Sequence, residues 1–219
     1  MGKIVRLASS SSRRRQWLLE RYANISLDFG GLIGEESLPP NGKSVRDQVD
    51  FILNQKIERA RLEHHLTISK EEEPNSPGCA NLWIVADTLV EDPYDQFLSL
   101  GQPRDSIAAL HMLTNLSGRR HLVWSGTAVL DFSVPSVVVH RSIESATVEF
   151  NQLSNDEFAQ LIESGSWQGK AGAYDLAGPA GAHAHLVSGH EITVLGLSHA
   201  SIEYLDGVLE HDSTFYDKS

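Results

Sequence analysis

Ile4-Val5-Arg6-Leu7-Ala8-Ser9-Ser10-Ser11-Ser12-Arg13-Arg14 is a short apolar run, then four hydroxyls in succession, then arginines. Residues 4–8 read as a buried strand, residues 12–22 as a helix, and residues 25–29 as a second strand before the Gly30-Gly31 turn. A strand, helix, strand opening predicts an α/β fold. The hydroxyl run puts side-chain oxygens and free backbone N–H groups at a helix start, where the macrodipole disfavours arginine but a bound phosphate suits both the amides and the guanidinium forks. An exposed basic turn or an ordinary capped helix start would also account for these residues.

Working outward, Ser44 is placed to cap a long helix through about His64, with Val45, Val49, Ile52, Leu53, Ile57 and Ala60 on one arc of its wheel. Residues 69–81, with Glu71-Glu72-Glu73, two prolines and Gly78, read as a polar loop. Leu82-Trp83-Ile84-Val85-Ala86 reads as a core strand ending at Asp87-Thr88. Further elements follow: a helix over 105–116, strands over 121–130 and 136–150 broken at Pro135, and a helix over 156–162 after Ser154. A glycine- and alanine-rich stretch over 165–181 precedes strands at 185–187 and 192–195 and a closing helix over about 199–209. Adjacent strand runs around 121–150 predict a mixed sheet. The expected organisation is a single domain over 1–210 with a tail over 211–219.

Composition narrows the function classes. The 219 residues suffice for a core without staples, and no window approaches the roughly 18 to 20 apolar residues of a membrane helix. A net charge of −11 repels a polyanion over most of the surface, so DNA and RNA polymers are not expected partners and any anion site is local. The single cysteine, Cys79, is compatible with a reducing cytoplasm. Arginines 13–15 imitate a twin-arginine export element, but Glu20, Arg21, Asn24 and Asp28 interrupt the apolar segment that should follow.

Lys56 falls inside the apolar arc of the long helix, either as a snorkelling stem or as a cation aimed into a cleft. Asp87 closes an apolar strand, where open α/β sheets present ligand-binding groups, although an acid there can also cap a turn. Glu36 could join it around a hard divalent cation. His183, His185 and His190 lack the ligand spacing of a zinc site.

Together these pieces resemble the Maf family of nucleoside triphosphate pyrophosphatases over about residues 4–205. The resemblance is carried by Leu-Ala-Ser-Ser-Ser-Ser-Arg-Arg at 7–14, Glu36, Lys56, Ala-Asp-Thr at 86–88 and Gly-Gln-Pro at 101–103. Leu-Ser-Gly-Arg-Arg-His at 116–121, Lys-Ala-Gly-Ala-Tyr at 170–174 and Val-Leu-Gly-Leu at 194–197 complete it. It implies a Maf/ITPase-like fold: a two-lobed mixed sheet flanked by helices around a central nucleotide cleft. The implied reaction converts a nucleoside triphosphate to monophosphate and pyrophosphate with a divalent metal, magnesium or manganese, often in a homodimer. By position, Asp87 matches the proton acceptor and a metal ligand, Glu36 a metal carboxylate, Lys56 a cleft lysine, and Ser9, Arg13 and Arg14 the phosphate-binding start. Thr88, Gln102, Lys170 and Ala177 fall at substrate-binding positions.

Gln102 stands where the family normally has lysine, and Ala177 where many members have glutamine. His190 and Ser198 replace a common Asp and Pro. These departures leave open a catalytically degenerate relative that binds nucleotide or a protein partner. Arg119 or Lys170 could replace the missing cation. Arg13, Ala-Asp-Thr and Ala-Gly-Ala-Tyr resemble the branch acting on dTTP and UTP more than the branch acting on 7-methyl-GTP.

Overall fold

The computed structural model describes residues 4–34, 37–68, 80–133 and 137–216. In chain order they form β1 (Ile4–Leu7), α1 (Ser12–Arg21), β2 (Ser26–Phe29), α2 (Val45–Ile68), β3 (Leu82–Asp92), β4 (Asp95–Leu100) and α3 (Ser106–Leu116). Then follow β5 (Arg120–Asp131), β6 (Val138–Phe150), α4 (Asn155–Glu163), β7 (Ala184–Ser188), α5 (Glu191–Leu195) and α6 (His199–Tyr216). Tight 3₁₀ turns at Ala171–Ala173 and Pro179–Ala182 occupy the glycine-rich stretch.

The strands make one mixed sheet in the order β2-β1-β3-β5-β6-β7, with β4 also paired to β3. β1 runs parallel to β2 and β3, as the opening strand, helix, strand unit requires, while every pairing from β3 onward is antiparallel. β5 follows β3 from Leu82 opposite Asp131 to Val90 opposite Val123. The other edge of β3 is shared. β1 covers it at Leu82, Trp83 and Ile84, and β4 takes over from Val90 opposite Leu100, so the intervening residues have no ladder partner on that side.

Period-two alternation along β3 separates two cores. Leu82, Ile84 and Ala86 pack with Leu18, Leu197 and Leu205, whereas Trp83 and Val85 pack with Leu53, Ile57 and Ala60 of α2. Beyond the unpaired stretch, Val90 belongs to a third core with Leu113, Phe150, Leu161, Trp167 and Tyr174. The strand therefore passes from one lobe to the other at Asp87-Thr88.

The helix starts follow the expected chemistry. Ser11, Asp105 and Ser154 each cap the next helix by accepting a backbone N–H, and Ser154 with Glu157 closes a full capping box. Ser44 Oγ likewise accepts from Asp47 N at 3.2 Å. Three expectations are corrected. β3 does not end at Asp87-Thr88 but continues through a hairpin into β4, whose mostly exposed residues gave no alternation to read. Residues 192–195 are helical: Gly196 closes α5 in a left-handed conformation and Ser125 Oγ donates to Thr193 O at 2.7 Å, so tertiary contacts override the β-branched composition. The closing helix runs on to Tyr216, since no proline interrupts it. Residues 69–79, including Cys79, and Pro135 lie outside the described residues.

Candidate active site

The unpaired edge of β3 creates the site. The Ile84 and Ala86 carbonyls, two residues apart, face the same edge; Ile84 O accepts Ala8 N at 2.9 Å in the last bond from the β1 side. Ala86 O has no strand beside it and accepts instead from Lys56 Nζ and from Arg14 Nη1, both at 3.2 Å. A gap in the ladder thus draws two cations to the lobe junction, because a carbonyl left without a donor would cost free energy.

Lys56 also donates to Asp87 Oδ1 at 2.7 Å, with each side chain about 15 % exposed. Its place on the apolar arc of α2 therefore directs it into a cleft. Asp87 Oδ2 is buried and has no hydrogen-bond partner among the described residues. An unsatisfied carboxylate oxygen beside a lysine is an acceptor held ready for a proton, a water or a cation.

Arg14 is buried and spends its guanidinium on the frame. Nε donates to Gly196 O at 2.8 Å, Nη1 to Ser9 Oγ at 3.1 Å and Nη2 to Thr88 Oγ1 at 2.8 Å. Thr88 Oγ1 lies 2.9 Å from Ser125 Oγ, whose proton goes to Thr193 O, so Thr88 donates to Ser125. A Cβ at Gly196 (φ +118°) would meet Arg14 Nε at 2.8 Å, which explains a glycine here. Ser9 Oγ accepts from Arg14 and from Ser11 N at 3.2 Å, and its own proton is not used in either bond.

Across the opening, Asp175 joins Arg13 Nη1 and Lys170 Nζ, each at 3.4 Å. Its Oδ1 also accepts from Ala177 N at 3.1 Å. The turn carrying these groups is strained: Gly172 and Ala173 are both left-handed, at φ 69° and 65°. Tyr174 anchors it, its hydroxyl 2.7 Å from His121 Nε2. Burial lowers His121 to about 4 and pushes the Tyr174 phenol far above its ordinary value, so both stay neutral.

These groups line a cleft of about 470 Å³. Its walls carry Ser9, Arg13, Arg14, Lys56, Asp87, Thr88, Gln102 and Lys170, bringing together eight of the ten residues singled out from the sequence. Arg59, Gln168, Gly169, Gly31 and Gly34 also line it. Arg59 was findable, being three residues after Lys56 on the same helix; the glycines and Gln168 carried no such signal. Ala177 is exposed and lies on a separate, mostly apolar pocket of about 260 Å³ with Trp17, Leu176, Ile192, Val194 and Leu195. Glu36 lies outside the described residues. Arg119 donates to the carbonyls of Asn115 and Ser117 at the end of α3 and is not on the cleft wall.

Arg13, Arg14, Lys56, Arg59 and Lys170 line a wall whose one described carboxylate is Asp87, with Asp175 paired to Arg13 and Lys170 beside it. A chain of net charge −11 therefore concentrates cations at one place, which selects a small polyanion. No group of three or more His, Cys, Asp or Glu able to hold a metal occurs among the described residues. A divalent cation nonetheless fits the donor set, since magnesium is commonly held by one or two carboxylates plus substrate phosphates, and the buried Asp87 Oδ2 has no hydrogen-bond partner among the described residues.

Fold and site together define a mixed α/β protein with a cationic cleft at a lobe junction, built for a phosphorylated small molecule. The chain belongs to the Maf family: the family model described as Maf-like protein matches residues 4–205. It is 32 % identical over 196 residues to a dTTP/UTP pyrophosphatase of Clostridium acetobutylicum, covering 87 % of this chain and 90 % of the relative. A dTTP/UTP pyrophosphatase of Clostridium botulinum is 31 % identical over 201 residues, covering 89 % and 91 %.

Proposed function

We propose that this protein is a nucleoside triphosphate pyrophosphatase acting on dTTP or UTP. The observation that carries the reading is Asp87 Oδ2, buried and without a hydrogen-bond partner among the described residues, on the wall of a cation-lined cleft. Water attacks the α-phosphorus, the bond to the oxygen bridging the α- and β-phosphates breaks, and pyrophosphate leaves with that oxygen. Asp87 accepts the proton of the attacking water at Oδ2, while Lys56 holds Oδ1 and fixes the orientation of the carboxylate. Ser9, Arg13 and Lys170 bind phosphate oxygens, and Arg14 fixes Ser9 and Thr88 in place. A magnesium or manganese ion, held by Asp87 and by Glu36, would neutralise charge on the triphosphate.

Names of the relatives and the match of Arg13 and Thr88 to the dTTP/UTP branch support a pyrimidine. Ala177 offers no side-chain hydrogen bond, so discrimination between bases is broadened. Localisation in the cytoplasm and assembly as a homodimer complete the proposal; among the described residues no helix is long and apolar enough to cross a membrane.

A panel of canonical and modified nucleoside triphosphates with magnesium or manganese, assayed separately for pyrophosphate and monophosphate, tests the reading. Both products are expected from dTTP or UTP, and 7-methyl-GTP is expected to have the lower kcat/KM. Orthophosphate as the sole phosphate product would mean a different chemistry. Binding without any product would favour the second reading, a degenerate nucleotide-binding relative, for which neutral Gln102 in the cleft wall speaks.

A further inference from the structure

We propose that Arg59 is a phosphate-binding residue of this cleft, supplying a cation that its wall otherwise lacks at Gln102. The inference rests on the triphosphate reading only for the identity of the ligand.

Every other cation of the wall already has a protein partner. Arg14 is bonded to Ser9, Thr88 and two carbonyls, Lys56 to Asp87, and Arg13 and Lys170 to Asp175. Half-buried Arg59 makes no ion pair or hydrogen bond with any described residue, and the acids near it on α2 are already engaged. Glu58 pairs with Arg61 at 2.7 Å. Glu63, one turn further on, accepts from Arg6 at 3.0 Å and from Ile33 N at 3.2 Å.

Arg59 therefore sits on α2 between the Lys56–Asp87 pair and the loop that Glu63 holds, and that loop lines the cleft through Gly31 and Gly34. A side chain added at either glycine would meet nothing within 4 Å, so the space beside the loop is open. A guanidinium directed to such a place, with five donors and no acceptor among the described residues, suits a phosphate oxygen pair.

The test uses the whole protein and two probes, inorganic tripolyphosphate for binding by calorimetry and dTTP for turnover. Arg59→Met keeps the stem and helix propensity, and Arg59→Gln is a second neutral variant with a polar head. Both are expected to bind tripolyphosphate at least about tenfold more weakly, as loss of a charge-assisted bond implies, with an unchanged melting temperature. Arg59→Lys retains most binding, and Gln102→Lys restores binding to Arg59→Met. Tripolyphosphate affinity within twofold of the parent in a folded neutral variant overturns the assignment, whether or not dTTP is hydrolysed. Arg59-dependent tripolyphosphate binding without hydrolysis of any nucleotide would leave the assignment standing and remove the pyrophosphatase reading.

Discussion

Asp87 combines two features that single residues seldom share: one oxygen held by Lys56, the other buried and without a partner among the described residues. Asp87→Asn keeps the shape and an acceptor for Lys56 but cannot take a proton at the same site. We expect kcat to fall about 10²–10⁴-fold with an unchanged fold by circular dichroism; a fall under about tenfold would take general-base work away from Asp87. Gln102→Lys adds a charge opposite the phosphates, and kcat/KM for dTTP is expected to rise. The rise should be larger in an Arg59→Met background, where the added lysine is the replacement cation and not a supplement. Lys56 and Asp87 were legible because a lysine on an apolar arc and an acid on an apolar strand contradict local patterning, whereas Thr88, Gln102 and Lys170 stood out only through the family resemblance. What the pattern could not reveal was that Arg14 ties the frame together: its four acceptors lie on segments far apart in sequence.

Among elements, the turn at Ala171–Ala173 shows how a strained segment is secured. Its left-handed residues are followed by Tyr174, clamped to β5 through His121, with Phe150 packed edge-on against the phenol. Neutral burial of His121 has a thermodynamic consequence. Its pKa in the folded protein, about 4, lies below the unfolded value of 6.5, so between them the unfolded chain binds more protons. This contribution is fully present above about pH 6.5 and is lost as pH falls towards 4, amounting to about 3 kcal/mol at most. His121→Gln, which can still bond Tyr174 but does not titrate there, should flatten the change in unfolding free energy between pH 7 and pH 5 measured by urea denaturation. An equal slope in both proteins would show that His121 is not the group responsible. Local sequence served well where a cap or strict alternation was present, as at Ser154 or Leu82 to Ala86. It misread residues 192–195, because Ile-Thr-Val prefers a strand in isolation while Gly196 and the hydroxyl of Ser125 impose a helical turn.

At the scale of the molecule, the mixed sheet was foreseeable from a parallel opening unit followed by neighbouring strand runs, but the break in pairing along β3 was not, since it depends on where β1 stops and β4 begins. That break places the site, yet β3 itself is unbroken. Because β5 accompanies it from Leu82 to Val90, the two lobes share a continuous backbone spine. Swinging one lobe against the other would shear a continuous ladder, so nucleotide entry and product escape must be managed by loops and side chains. Small-angle X-ray scattering with and without a non-hydrolysable nucleotide is expected to give the same radius of gyration, whereas a measurable contraction would mean that the spine bends. An enzyme of this construction would act as an open workbench, its turnover free of the delay that closing and reopening a clamshell imposes.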